Sequence, residues 1–220
     1  MNRTWFGMAT LAVFAVACGS GSGSSPEPTE EAVSSAAEAS TRQPIALGIS
    51  MFLLVDDDEN PDPDVSTNRD IADLTTILRG VSDIWDAADI RFELRFIGAL
   101  VLPRDVLVAL MAGNTGPFFD GLGTRFDVTS ASTVNAFFVP SFDTANGVNP
   151  TGTRTAFIVD EPTVHDRRVT SHEIGHMLGL HHELHDPGQL MFSGTNGMRL
   201  TEPEIATARY VAAGILSGVR

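Results

Sequence analysis

The sequence predicts a mixed α/β domain (α+β) built as one sheet with long helices packed on it. Three observations carry that prediction. Apolar, strand-like runs occur at 44–55, 90–100, 134–142 and 154–160. Segments with a three-to-four-residue apolar period lie between or after them. Hydrophobic residues make up 43% of the 220 residues, enough for a sizeable core. A sheet and helices that each bury one side satisfy one another most simply when stacked in layers.

Taken in order, "PIALGISMFLLV" (44–55) reads as one or two strands buried on both faces. "DDDENPDPD" follows as a solvated acidic turn. A structural Ca2+ is the alternative, but an EF-hand loop counted from Asp56 would need glycine where Pro61 stands. Thr67 and Asp70 form a candidate capping box for a helix with Ile71, Leu74, Leu78, Val81 and Trp85 on its apolar stripe. Gly80 costs that helix about 1 kcal/mol relative to alanine. "IRFELRFIGAL" (90–100) alternates in part, as a half-buried strand does, and "RDVLVALMAG" reads as a short helix. "GNTGPFFDGLGTRF" is assigned to no element. "VNAFFVPSF" (134–142) reads as a strand that Pro140 marks as an edge or ends. "DTANGVNPTG" is a loop, and "RTAFIVD" (154–160) is a further strand. Thr163 and Asp166 offer a capping box for a helix starting near Val164 and running to about Gly179. The last helix is capped by Thr201 with Glu204 and buries Ile205, Ala208, Ala212 and Ile215. Tyr210, the sole tyrosine, is assigned to core packing on it, with assistance to catalysis as the alternative.

The N-terminal segment differs from the rest. Arg3 and "WFGMATLAVFAVA" give residues 1–17 the basic start and short apolar stretch of a signal peptide. "AVAC" also resembles a bacterial lipobox, which makes Cys18 a candidate lipidation site; plain secretion is the alternative. Residues 18–43, rich in Gly, Ser, Pro and Glu, read as a flexible tether, leaving 44–220 as the folded domain. Cys18 is the single cysteine, so no intramolecular disulfide forms. The formal net charge is −14, and every one of the 14 basic residues is arginine. Such an acidic surface argues against nucleic acid and against anionic membranes as partners, apart from a lipid anchor at the N-terminus.

"HEIGHMLGLHH" (172–182) carries the chemistry. Positions four apart on a helix lie within about 40° of each other. His172 and His176 therefore share one face, one turn apart, as two imidazoles converging on a zinc ion require. Glu173 is rotated by about 100° from His172. It is poorly placed as a ligand and well placed to reach water at the metal. Gly179 suits a helix-ending left-handed turn, after which the chain can return a third imidazole. His181 and His182 compete for that role, and the spacing favours His182.

This stretch matches H-E-x-x-H-x-x-G-x-x-H and resembles the zinc signature of the metzincin metallopeptidases. "DPGQLMFSG" (186–194) is similar to the methionine turn of their matrixin branch, which implies Met191 as an apolar floor beneath the metal ligands. Glu183 departs from the serine usual in matrixins. Phe192, Ser193 and Gly194 supply no tyrosine of the astacin type. The pattern thus looks like an outlying bacterial member, matrixin-like or pappalysin-like. The resemblance implies a twisted, mostly parallel sheet of about five strands with an antiparallel edge strand, an active-site helix, the methionine turn and a C-terminal helix. It also implies that "VNAFFVPSF" is the edge that holds extended peptide.

The function so implied is that of an exported zinc endopeptidase, on the cell envelope as a lipoprotein or otherwise secreted. His172, His176 and His182 hold one catalytic Zn2+, and Glu173 is the general base toward a zinc-activated water. A protein or peptide is the substrate and a monomer is expected. The alternative is a non-catalytic surface binding protein on a zinc-stabilised scaffold. The intact Glu173 argues against it, because a purely structural site needs no base.

Overall fold

The computed structural model describes residues 42–122, 132–142 and 145–218. Residues 1–17, most of the tether 18–43, and Cys18 lie outside the described residues. Arg42 to the C-terminus forms one compact unit.

Five strands make one sheet in the order β2-β1-β3-β5-β4. They are β1 (Ile45–Asp56), β2 (Ile90–Leu102), β3 (Thr133–Val139), β4 (Gly147–Val148) and β5 (Thr155–Val159). β1 runs parallel to β2 and β3, β3 runs parallel to β5, and only β4 is antiparallel to its neighbour. The stretch 44–55 is thus one long strand, and the mostly parallel sheet with an antiparallel edge is as expected.

Period-two alternation explains why the inner strands are apolar throughout. Leu47, Ile49, Met51 and Leu53 of β1, with Val134, Ala136 and Phe138 of β3, face one core. Phe52 and Leu54, with Phe137 and Val139, face the other. Parallel strands covered on both sides carry this signature. The first core is closed by α1 (Ile71–Trp85), α4 (Asp166–Met177) and α5 (Glu202–Ser217). The second is closed by α2 (Arg104–Met111) and α3 (Gly116–Leu122). α3 lies in the stretch that periodicity could not assign. Its Phe118 is edge-on to Phe137 and Phe157, each at 4.9 Å between ring centroids.

Several local expectations are corrected. "VNAFFVPSF" is not an edge: β3 is fully buried between β1 and β5, and Pro140 lies one residue past its end. A proline outside the hydrogen-bonded ladder leaves the strand free to be central. The edge on that side is β4, inside the stretch read as a loop. At the opposite edge, β2 bulges at Arg95, since Ile49 pairs with Leu94 and Ser50 with Phe96. A bulge and charged residues guard an exposed edge against mispairing.

Helix α1 is capped by Asp70, not Thr67, in a reciprocal box with Asp73. Its buried stripe is therefore Leu74, Ile77, Val81, Ile84 and Trp85, while Ile71 is exposed. The Thr67 hydroxyl instead donates to Asp160 at 2.6 Å. Gly80 is buried where α4 crosses, and a Cβ there would lie 2.7 Å from Cβ of Arg167. The packing of two helices accounts for the glycine that propensity disfavours. The Thr163–Asp166 box does not form; Thr163 is engaged by Asn146, and α4 begins after His165 with no side-chain cap. The Thr201–Glu204 box and the buried residues Ile205, Ala208, Ala212 and Ile215 of α5 are as expected. Tyr210 is not core: it is 82% exposed on α5.

In the acidic turn, Asp56 is buried and accepts from the N–H groups of Asp58 and Asp62, while Asp62 pairs with Arg104. These carboxylates fold the turn on itself. Among the described residues, the turn contributes no group of potential metal ligands. No described helix is long and apolar enough to cross a membrane.

Candidate metal centre

α4 packs against α1 and lies under the sheet's β4 end, which fixes the direction of its histidine face. His172 and His176 project one turn apart, with ring centroids 4.8 Å apart. The helix ends at Met177 and closes with paired bonds: the Leu180 N–H donates to the Gly175 carbonyl at 2.9 Å, and the Gly179 N–H to that of His176 at 3.1 Å. This is the Schellman arrangement, which needs a left-handed residue after the cap. Gly179 supplies it with φ of +82°. The reversal then delivers His182. The N–H of Glu183 donates to the Met191 carbonyl at 3.0 Å and pins the returning chain to the methionine turn. His182 lies 4.7 Å from His176 and 5.2 Å from His172 between ring centroids.

His172, His176 and His182 each offer one ligand atom, and these atoms lie within 4.8 Å of one another. They form the one such group among the described residues. His181 is exposed and not part of it, which resolves the competition in favour of His182.

The hydrogen bonds fix which nitrogens face inward. His172 Nδ1 lies 2.8 Å from the Leu190 carbonyl oxygen, and His176 Nδ1 lies 2.9 Å from that of Leu180. A carbonyl only accepts, so both Nδ1 atoms carry the proton and both Nε2 lone pairs are free. Burial, the largest cause, lowers the pKa of His172 to about 3 and also lowers that of His176, so both rings stay neutral. The Nε2 atoms of His176 and His182 are 3.1 Å apart. Nitrogens on a tetrahedral zinc with bonds of ~2.0–2.1 Å sit about 3.3 Å apart. Ligating imidazoles characteristically donate their other N–H to a carbonyl. The donor set therefore fits a zinc ion.

Glu173 is 6% exposed. Burial raises its pKa to about 7, against the smaller lowering effects of the Arg168 charge and the Asn149 backbone N–H. It shares a cavity of about 330 Å³ with His172 and His182, walled by Ala145, Asn146 and Gly147 at β4 and by Ser193 and Gly194 after the methionine turn.

Met191 is fully buried. A Cβ on Gly175 would lie 2.5 Å from its sulfur, so the turn sits directly against the helix between the first two histidines. Glu183 accepts from the N–H groups of Leu184 and His185 and shapes the turn after His182.

Two residues of the site escaped the sequence reading. Gly175 is one, and its signal was available, since a glycine inside a helix runs against propensity and asks for a packing reason. Arg168, 4% exposed, is the other. It precedes His172 by one helical turn, and its Nη2 donates to the carbonyls of Leu190, at 2.9 Å, and Phe192. Leu190 thus receives both Arg168 and His172, so the guanidinium locks the stretch around Met191 to the histidine-bearing helix. No local pattern announces that role.

No family model matches the sequence, and no curated protein matches it. Among solved structures, the fold is similar to archaemetzincin from Methanopyrus kandleri. The TM-score is 0.50 at 12% identity, covering 79% of this chain and 99% of that one. A chain in a chaperone–substrate complex matches with a TM-score of 0.49 at 14% identity, covering 79% of this chain and 35% of that one. The likeness to archaemetzincin is one of fold.

Proposed function

We propose that this chain is a zinc-dependent endopeptidase with Glu173 as its general base. The observation that carries the reading is the convergence of three imidazoles, two of them fixed in the ligating tautomer, beside a buried carboxylate in an open cleft. The archaemetzincin-like fold supports it.

Zinc, when bound, supplies Lewis acidity and brings the pKa of water toward neutrality. Within the cleft, a Glu173 oxygen takes a proton from the attacking water as the new C–O bond forms at the peptide carbonyl carbon. It returns that proton to the amine nitrogen as the C–N bond breaks. Its place in the cavity beside His172 and His182 puts the carboxylate within reach of both transfers. Among the described residues the two-residue β4 is the last strand of the sheet, and it lies against the cavity. An extended substrate therefore pairs with β4, not with the central strand at 134–142, using backbone hydrogen bonds that tolerate varied sequence.

The same reading makes the chain an outlying matrixin-like or pappalysin-like protein. It places the enzyme outside the cytoplasm, delivered by residues 1–17 and held by lipid on Cys18. The mass of the mature N-terminal peptide tests the anchor. For the activity, the zinc-loaded protein should digest casein and lose that ability with a chelator. Glu173→Ala should keep one zinc per chain and lose cleavage; unchanged cleavage would remove Glu173 from the mechanism.

A further inference from the structure

His172 and His176 find the acceptors for their Nδ1 protons in different ways. His176 Nδ1 lies 2.9 Å from the carbonyl oxygen of Leu180, four residues on, in the turn that closes α4. Local backbone geometry sets that oxygen. His172 Nδ1 lies 2.8 Å from the carbonyl oxygen of Leu190, 18 residues away. Leu190 to Phe192 belong to no helix or named strand, so tertiary contacts must hold this second oxygen against the helix. Backbone bonds to Glu183, Gln189 and Arg199 fold the stretch onto its neighbours, but among the described residues none of them reaches α4. Arg168 does reach it from α4. Its Nη2 donates to the same Leu190 oxygen at 2.9 Å and to the Phe192 oxygen. Arg168 stands one helical turn before His172, so both side chains leave one face of α4 and meet at one carbonyl. The guanidinium is buried, with the Glu173 carboxylate as its charge partner in the same cavity. A buried ion pair is weak evidence of stability, because apolar side chains of similar volume often serve as well. An apolar side chain cannot hold two carbonyl oxygens in place.

We infer that Arg168 is a positioning residue of the metal centre: it clamps the Leu190 carbonyl to α4 and so orients His172 for the metal before the metal arrives. The inference rests on the zinc reading and adds how that ligand is held. Hydrogen bonds weaken steeply with misalignment, so a released Leu190 oxygen no longer fixes the ring. Loss of such an outer partner lowers metal affinity on the order of tenfold to a hundredfold. A guanidinium near a divalent cation also repels it, and this effect has the opposite sign.

The test measures zinc affinity of the full chain by competition with a chromophoric chelator, for wild type, Arg168→Met and Arg168→Lys. Urea unfolding of the metal-free proteins records fold stability separately. Arg168→Met should bind zinc at least about tenfold more weakly, with an altered visible spectrum when loaded with cobalt. Arg168→Lys, whose ammonium can donate to both carbonyls, should recover part of the affinity. A merely structural Arg168 would lower urea stability and leave the zinc affinity of the folded protein unchanged. Unchanged or tighter zinc binding by folded Arg168→Met would overturn the inference and leave the zinc reading intact. Should Arg168→Met fail to fold, hydrogen exchange of the wild type decides. The amides of Leu190 and Phe192 donate to the carbonyls of Arg199 and Gln189. They should be protected in the metal-free protein, with little added by zinc. Free exchange of these amides until zinc is added would overturn the inference. A wild type that binds no zinc would overturn the zinc reading with it.

Discussion

Replacing Glu173 with glutamine should stabilise the metal-free protein at alkaline pH and change little near pH 4. The carboxyl is 6% exposed, and burial raises its pKa from 4.5 to about 7. Between these values the folded state holds a proton that the unfolded state has released. Stability therefore falls as pH rises through this window, and the cost is complete above about 7. The interval corresponds to roughly 3 kcal/mol. Glutamine keeps the size and polarity of the protonated acid without the ionisation. Urea unfolding with chelator present, at pH 4, 6 and 8.5, should show the two proteins nearly equal at the lowest pH. The variant should be more stable by about 3 kcal/mol at the highest. Parallel pH profiles, or a wild type more stable at pH 8.5, would refute the reasoning.

The same metal-free Glu173→Gln protein isolates the histidines. His172 titrates near 3 when folded, so the unfolded state gains a proton first as pH drops below about 6.5, and stability should fall by about 1.4 kcal/mol per pH unit in the same urea assay. Gly175→Ala drives a methyl to 2.5 Å from the Met191 sulfur. It should cost about 1–3 kcal/mol, and a double-mutant cycle with Met191→Ala should recover part of that. His182→Ala should weaken zinc binding by more than about a hundredfold in a competition titration, while His181→Ala should not. Arg69 pairs with Asp160 and Asp166 and donates to the carbonyls of Val159 and Asp160 from a side chain 7% exposed. Arg69→Met should cost about 3–5 kcal/mol by leaving Asp160 uncompensated, measured by urea unfolding.

What was legible in the sequence is what a few consecutive residues determine. His172 and His176 are set by helix geometry alone, and His182 by the turn that Gly179 permits. Unbroken apolar runs in β1, β3 and β5 announced buried strands but not their neighbours, because order in a sheet depends on pairings far apart in the chain. Of the two readings of Pro140, the end of the strand holds and the edge does not: it marks where β3 ends, not which side is open. β4 has two residues, too few for any period. Three threonine-based caps were equally plausible locally, and only Thr201 is used, since Asn146 and Asp160 draw Thr163 and Thr67 into tertiary bonds. Arg168 and its two carbonyl partners are 22 and 24 residues apart in sequence. Nothing short-range encodes such a contact.

The position of β1 in the sheet carries a consequence for how the chain acquires its shape. This first strand is sandwiched between β2 and β3, so one ladder cannot close until residue 102 has been synthesised and the other not until residue 139. Until then "IALGISMFLLVD" remains a sticky, twelve-residue ribbon with at least one edge unsatisfied. Parallel pairings over such separations form slowly and expose the nascent chain to aggregation. Refolding yield should therefore depend on protein concentration well before the histidines at the far end have any part to play.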